Sequence, residues 1–298
     1  MGFSWQRWLL LSCVFFLIAL CPAAVAAQQA FSRQDNQKEG LIPVTSAENF
    51  SGCAGDPIPI VNNEYEQQVV ELTNAARAGQ GLPPLKRVEG LNESARYHAA
   101  DMNIDDYFSH DTYDRRDGNL REICNTWDRI EHFYSGWLAL AENIAAGQRS
   151  PEMAMDGWMN SPDHYHNIMG ENYWEIGSGY YNGEATYRYY WVQNFGKKEG
   201  RYPLIIAGEA ARVEQRNVEV YIYGDWQEMR LNLNNGEWTE WQPFLKRFNW
   251  DLPKAPGDYS LTAQLRGPNG ATITSDSISL EDAATPVSAL FHSLWLGQ

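Results

Sequence analysis

Residues 174–195 read WEIGSGYYNGEATYRYYWVQNF, and this stretch decides the fold class. Trp174–Tyr181 and Tyr187–Phe195 are rich in aromatic and β-prone residues, and they flank Asn182-Gly183, a strong hairpin signal. The sequence before them has a different period. In residues 62–81, NNEYEQQVVELTNAARAGQG, the residues Tyr65, Val69, Leu72 and Ala76 recur every three to four positions, as on one face of a helix. Asn62 or Asn63 is suited to cap its start, and Gly79 or Gly81 to end it. A second helix is expected from Asn92, with Ala95, His98, Ala99 and Met102 as its apolar stripe. A third is expected at Ser150-Pro151-Glu152, where a cap precedes a proline in the first turn and an acid; it carries Met153, Gly157 and Trp158. Helices followed by an antiparallel hairpin give an α+β order.

Beyond Gly208 the helical period disappears. Val218, Val220 and Ile222 alternate, as do Met229, Leu231 and Leu233, then Phe248, Trp250 and Leu252, then Tyr259, Leu261, Ala263 and Leu265, and last Ile278 and Leu280. Asn234-Asn235-Gly236, Pro256-Gly257-Asp258 and Gly267-Pro268-Asn269-Gly270 separate these runs. Short alternating strands at this spacing predict a β-sandwich of about seven strands, of the Ig-like kind. Its tryptophans, Trp226, Trp238, Trp241 and Trp250, are the residue type that stacks on sugars. Most of them lie in alternating runs, which favours a packing role.

The N-terminus carries one charge, Arg7, before an apolar run from Trp8 to Leu20, then Pro22 and the small residues Ala24-Val25-Ala26. This reads as a signal peptide, residues 1–26, and an export address. The apolar run is short for a membrane span. Residues 27–59 form a polar linker, 60–200 and 208–282 two domains, and 283–298 an apolar tail too short to span a membrane. Cleavage would leave Cys53 and Cys124, which predicts one disulfide, the alternative being two buried thiols. Loss of Arg7 takes the formal charge from −15 to −16. Nucleic acid and anionic lipid need clustered Lys and Arg, so this acidity argues against both as partners. The 12 Trp and 16 Tyr exclude a disordered chain.

The chemistry-bearing residues fall in three blocks: Phe108-Ser109-His110-Asp111, Ala141-Glu142-Asn143-Ile144-Ala145, and residues 158–168, WMNSPDHYHNI. Two imidazoles and a carboxylate could make a divalent-metal site or an acid/base pair if they converge. They could equally form a buried polar network that satisfies itself. The sequence contains no HExxH and no GxSxG.

These blocks, in this order, together with LTNAAR, YFSHDT, AENIAAG, EIGSGYY and YYWVQNFG, resemble the CAP superfamily, also called the SCP domain, of cysteine-rich secretory, antigen 5 and pathogenesis-related proteins. The bacterial branch is the most similar. The resemblance covers about Asn62 to Lys197. It implies a three-layer α-β-α sandwich with a cleft lined by two His and acidic residues, and a mostly secreted family. On the matching positions it implies His110, Glu142 and His164 as cleft residues, with Asn167 where many relatives have a cleft Gln. Ser161 stands where eukaryotic members carry a second Glu, and Asp163 is a candidate for the missing carboxylate.

The expected function is binding of a small ligand, lipid or peptide at the cell surface or outside it, with zinc or another divalent metal on His110 and His164. The first rival is a metal-assisted hydrolase of peptide or cell-wall material with Glu142 as base. The second is a structural or adhesive surface protein.

Overall fold

A computed structural model describes residues 52–55, 58–268 and 270–282 of the chain. The expected signal peptide, most of the polar linker and the whole C-terminal tail lie outside the described residues. Within them, no helix is long and apolar enough to cross a membrane.

The first helix, α1 (Asn63–Gly79), starts where the cap residue indicates: the Asn62 side chain accepts from the Tyr65 N–H at 3.0 Å. Strand β1 (Lys86–Arg87) leads into α2 (Glu89–Ile104), which begins three residues before the expected Asn92 because Val88, in extended conformation, forms its boundary without a side-chain cap. A hairpin, β2 (Thr112–Arg116) and β3 (Asn119–Cys124), precedes α3 (Thr126–Phe133) and β4 (Trp137–Ala146). Then follow α4 (Pro151–Met159), capped by Ser150, and α5 (Pro162–Ile168).

The stretch 174–195 forms β5 (Glu175–Asn182) and β6 (Tyr189–Lys198), paired antiparallel from Glu175 opposite Gly196 to Asn182 opposite Tyr189. Asn182-Gly183 does not make a two-residue turn. Residues 183–188 bridge the strands, with Gly183 N–H donating to Arg188 O at 2.9 Å and Arg188 at φ 67°. The central sheet runs β1-β5-β6-β4, with β1 parallel to β5 and the other pairs antiparallel.

Helices cover both faces of that sheet. On one, Val69 and Val70 of α1, Ala154, Met155 and Trp158 of α4 and Ile168 of α5 pack on Ile176, Tyr180, Trp191 and Phe195. On the other, Ala95, Tyr97, Ala99 and Met102 of α2 meet Ile144, Tyr181, Tyr190 and Val192. Ile130 of α3 joins Leu91 and Tyr134. This is the α-β-α sandwich expected. The EIGSGYY block acquires a physical meaning here: a Cβ on Gly177 would lie 2.1 Å from Leu91 C, and one on Gly179 would lie 2.2 Å from Ala95 C. Only glycine lets β5 approach the α2 backbone this closely.

Residues 204–280 form two further sheets. One contains β7 (Leu204–Ile206), β9 (Asn217–Ile222) and β12 (Arg247–Asp251), in the order β12-β9-β7. The other contains β8 (Arg212–Val213), β10 (Glu228–Leu233), β11 (Gln242–Pro243), β13 (Gly257–Gly267) and β14 (Gly270–Leu280), in the order β11-β10-β13-β14-β8. The inward residues of both sheets share one core, which includes Val218, Val220, Ile222, Met229, Leu231, Leu261, Leu265 and Ile278. The alternating runs are thus the inner faces of two sheets. Eight strands take part, against about seven expected; β7, β8 and β11 are too short to leave an alternation to read. Trp226 and Trp250 pack against this core. Trp238 and Trp241 flank Arg230, each ring centroid 4.9 Å from its guanidinium carbon.

Candidate functional site

Strand periodicity sends consecutive residues of β4 to opposite faces, and the AEN block uses both. Glu142 points to the α2/α3 side and Asn143 to the α4/α5 side.

The Glu142 side chain is buried, and both of its oxygens are engaged. Oε1 accepts from His110 Nδ1 at 3.0 Å, and Oε2 is ion-paired with Nη2 of Arg129, which is itself fully buried on α3. Asn194, its cross-strand partner on β6, donates to Oε2 at 3.1 Å in the amide orientation that satisfies its neighbours. Burial pushes the Glu142 pKa up, but the Arg129 charge and the hydrogen bond from His110 outweigh it and hold the carboxyl below its ordinary value. Glu142 is therefore an ionised anchor with no lone oxygen waiting for a proton.

His110 is the exposed end of this arrangement. Its side chain is 51% exposed, while its backbone carbonyl accepts from Thr126 Oγ1 at 2.9 Å and Arg129 Nη1 at 2.8 Å. With Nδ1 donating to Glu142, Nε2 is left as the nitrogen that can meet a ligand. A carboxylate that fixes the tautomer and direction of an imidazole is the usual support of a metal-binding or general-base histidine. Below it, His98 of α2 is fully buried. Its Nε2 donates to Ser109 O at 2.8 Å and lies 4.0 Å from Glu142 Oε1. Burial first, then the Arg129 charge, push the His98 pKa down to about 3, so the ring is neutral and makes no ion pair with Glu142.

The third block forms the end of α4 and the short helix α5. His164 is part-buried there. Burial, then the nearby His110, lower its pKa, while Asp163 opposes them. His164 is thus neutral at physiological pH and within electrostatic reach of His110. Asp163 is exposed and His166 lies in the last turn of α5. The Asn167 amide is committed to holding α5 on the sheet: Nδ2 donates to Asn143 Oδ1 at 2.9 Å and Glu142 O at 3.3 Å. Asn143 Nδ2 in turn donates to His164 O at 3.2 Å and Gln193 Oε1 at 3.1 Å, and Gln193 Nε2 donates to Thr73 Oγ1 at 2.8 Å. This amide relay positions His164.

The disulfide joins Cys53 to Cys124, with Cα atoms 5.7 Å apart. Cys124 directly precedes Asn125, whose side chain caps α3 by accepting from the N–H groups of Trp127 and Asp128. The bridge therefore pins the helix that carries Arg129.

Sequence reasoning missed Arg129 altogether and read His98 only as part of an apolar stripe. A lone Arg in TWDRIEHF and a lone His in a helix carry no signal until a buried acid stands beside them. It also missed the polar residues of LTNAAR. Asn74 pairs with the Leu85 backbone through both amide atoms (2.7 and 2.9 Å), and buried Arg77 donates to Pro83 O, Ile168 O and Gly170 O at 2.8 Å.

Among the described residues, the group of three acidic, His or Cys side chains whose ligand atoms all lie within 4.8 Å is Asp101, Asp105 and Asp114. Tyr107 OH donates to Asp101 Oδ2, and burial pushes the Asp101 carboxyl well above its ordinary value. Asp105 and Asp114 push the Asp101 carboxyl in the same direction as burial. The group lies outside the three blocks the sequence singled out.

Residues 70–195 match the family model described as CAP, the cysteine-rich secretory protein family. The chain is 35% identical over 174 residues to the uncharacterized protein YkwD of Bacillus subtilis (strain 168), covering 58% of this chain and 61% of that protein. It is 32% identical over 138 residues to the uncharacterized membrane protein YlbC of the same organism, covering 46% and 36%. The chain thus spans less than two thirds of either curated relative. Among solved structures, an extracellular SCP-domain protein from Bacillus anthracis str. Ames is 30% identical with a TM-score of 0.39, covering 46% of this chain and 42% of that one. An outer surface protein from Borrelia burgdorferi is 20% identical with a TM-score of 0.36, covering 44% and 90%. The likeness to the CAP family therefore rests on the match over residues 70–195.

Proposed function

We propose that the chain is an exported binding protein whose cleft presents His110 and His164 to a small ligand, lipid or peptide, with Asp163 at the edge and Asn167 holding the helix that carries His164. The carrying observation is the state of Glu142. Its carboxylate is spent on Arg129 and on orienting His110, so it serves as a support and not as a base. That favours binding over hydrolysis, which needs a carboxylate free to take a proton from water. The intrachain disulfide and the family match fit an extracellular address. The sheet pair of residues 204–280 is assigned as an Ig-like sandwich that holds the cleft-bearing part at the surface.

A divalent metal on His110 and His164 extends this reading. His110 is oriented through Nδ1 and His164 is kept neutral, and both are conditions for imidazole ligation. Zinc takes about four ligands, so the remaining positions would fall to water or to the bound ligand. The chemistry supplied would be capture and polarisation of a ligand oxygen.

Calorimetric zinc titration tests this. Saturable binding is expected for the wild type and none for His110→Ala/His164→Ala; identical isotherms would overturn the metal assignment. Peptidase activity that survives purification from two unrelated hosts and is lost in Glu142→Gln, with the fold intact, would overturn the binding reading in favour of hydrolysis.

A further inference from the structure

Two cavities lie along the seam where the residues before Lys198 meet the two C-terminal sheets, away from His110 and His164. The first, of about 440 Å³, is lined by Trp174, Tyr202, Tyr221, Tyr223 and Trp226, with Glu171, Asp225 and Lys246 among its polar groups. The second, of about 370 Å³, is lined by Lys86, Glu175, Arg201, Thr272, Thr274 and Ser275 among others. Tyr202 belongs to both, so the two are compartments of one cleft. In each, one wall comes from the α-β-α part; the other is mainly the end of β9 and residues 223–226 in the first cavity, and β14 in the second.

We infer that this cleft binds a neutral oligosaccharide chain, with the aromatic compartment stacking one sugar ring and the hydroxyl-lined compartment hydrogen-bonding the next.

Four observations carry this. First, the rings form a corner. Tyr202 and Trp226 stand at 80° with centroids 4.9 Å apart, while Trp174 is stacked on Tyr223 at 4.7 Å and 21°. Rings locked by their neighbours offer apolar area at little entropic cost on binding. Second, the corner is built. Gly224, at φ 98°, leaves room that a Cβ would fill, 2.5 Å from Trp226 Nε1 and 2.7 Å from Tyr202 Cδ1. Third, the ionisable lining is balanced: Glu171, Asp225 and Glu175 face Lys246, Lys86 and Arg201, and Lys246 is bonded to Asp225 at 2.9 Å. A site of this kind attracts neither an anionic nor a cationic polymer, but offers donors and acceptors in both signs to hydroxyls. Fourth, the seam is already docked. Tyr223 OH donates to Pro84 O at 2.9 Å, and Lys86 pairs with Glu209 at 2.9 Å and with Asp276. Volumes of this size, with aromatic walls and a few placed polar groups, are those of preformed ligand sites. Two compartments that share Tyr202 suit a chain better than a single small molecule.

The test uses the full mature chain and two probes, chitohexaose and cellohexaose, read by tryptophan fluorescence and calorimetry. Saturable binding of at least one is expected, weakened roughly tenfold or more in Trp226→Ala. Ser275→Trp, which changes an exposed strand position and threatens no core, should block the second compartment to a similar degree. His110→Ala/His164→Ala should leave sugar binding unchanged, so failure of this site and failure of the histidine cleft are read separately. No response to either sugar, affinity unaffected by Ser275→Trp, or binding of a proline-rich peptide in place of both sugars would overturn the proposal.

Discussion

At the residue scale, the site is organised by Arg129, a side chain that no motif singles out. A buried carboxylate without its cation is costly, and so is the reverse. Replacing Glu142 by Ala strands Arg129 in the interior, and loss of one partner of a buried pair costs about 3–5 kcal/mol. Glu142→Ala is therefore expected to fall by roughly that amount in urea denaturation, and an accompanying loss of any activity would report unfolding and not chemistry. A cost under about 1 kcal/mol would show that water reaches the pair. His98 gives the site a pH signature. Its pKa is depressed from 6.5 to about 3 in the folded state, so the unfolded chain binds the additional proton between those values. Stability from this residue is complete above 6.5 and is lost as pH falls toward 3. One proton of difference amounts to about 1.4 kcal/mol per pH unit, or roughly 2 kcal/mol between pH 6.5 and 5. The expected outcome is a flatter stability–pH curve over that interval in His98→Gln; an unchanged slope there would overturn the assignment to His98, because Glu142, whose lowered pKa acts in the same direction, does so only below 4.5.

At the element scale, the parts that announce themselves do so through local chemistry. Asn62 and Ser150-Pro151 mark the two helix starts because caps act within one turn. The inner faces of β10, β13 and β14 show as alternation because their apolar residues face one core; β9 alternates too, although Tyr221 on its other side is also buried. The parts that stay hidden depend on partners distant in sequence. The β2–β3 hairpin is nearly half charged and largely exposed, and α3 is too short to show a period. His110, Glu142 and His164 are candidates that only the resemblance singles out. The Arg129 and His98 that set their chemistry were not legible, since an ion pair leaves no periodic trace. The two glycines of β5 fall between: they were visible as part of a block, but their reason lies in how closely α2 approaches. Gly179→Ala drives a methyl group into the backbone of Ala95, which cannot swing away as a side chain end could. Overpacking of this kind costs roughly 1–3 kcal/mol or more, and the expected result is a lowered melting temperature with exchange protection lost first in α2. A variant as stable as wild type would mean that β5 and α2 slide apart freely.

At the scale of the whole molecule, the question is whether the α-β-α part and the C-terminal sheets unfold as one. Lys86 of β1 stands between Glu209 and Asp276, and Asp276 also accepts from the Ile206 N–H at 2.8 Å. Asn74 of α1 donates to Gly208 O at 2.9 Å, and Trp174 stacks on Tyr223. One cation serving two buried acids leaves a charge in excess. Burial, with Asp276 beside it, raises the Glu209 pKa to about 8 against the pull of Lys86, so near neutral pH this acid keeps its proton. The seam thus loses stability as pH rises from the ordinary value of 4.5 through about 8. Lys86→Met removes the charge that holds the Glu209 pKa down, so Glu209 is pushed up further, and the penalty should be deeper at about pH 9 than at about pH 6. For the wild type at neutral pH, calorimetric and van't Hoff enthalpies are expected to agree, as in a single cooperative transition. In Lys86→Met at the higher pH, the calorimetric value should exceed the van't Hoff value as the two parts separate. If the ratio stays at unity there, the aromatic stack and the backbone bonds are sufficient to couple the parts, and the Lys86 node sets pH sensitivity alone.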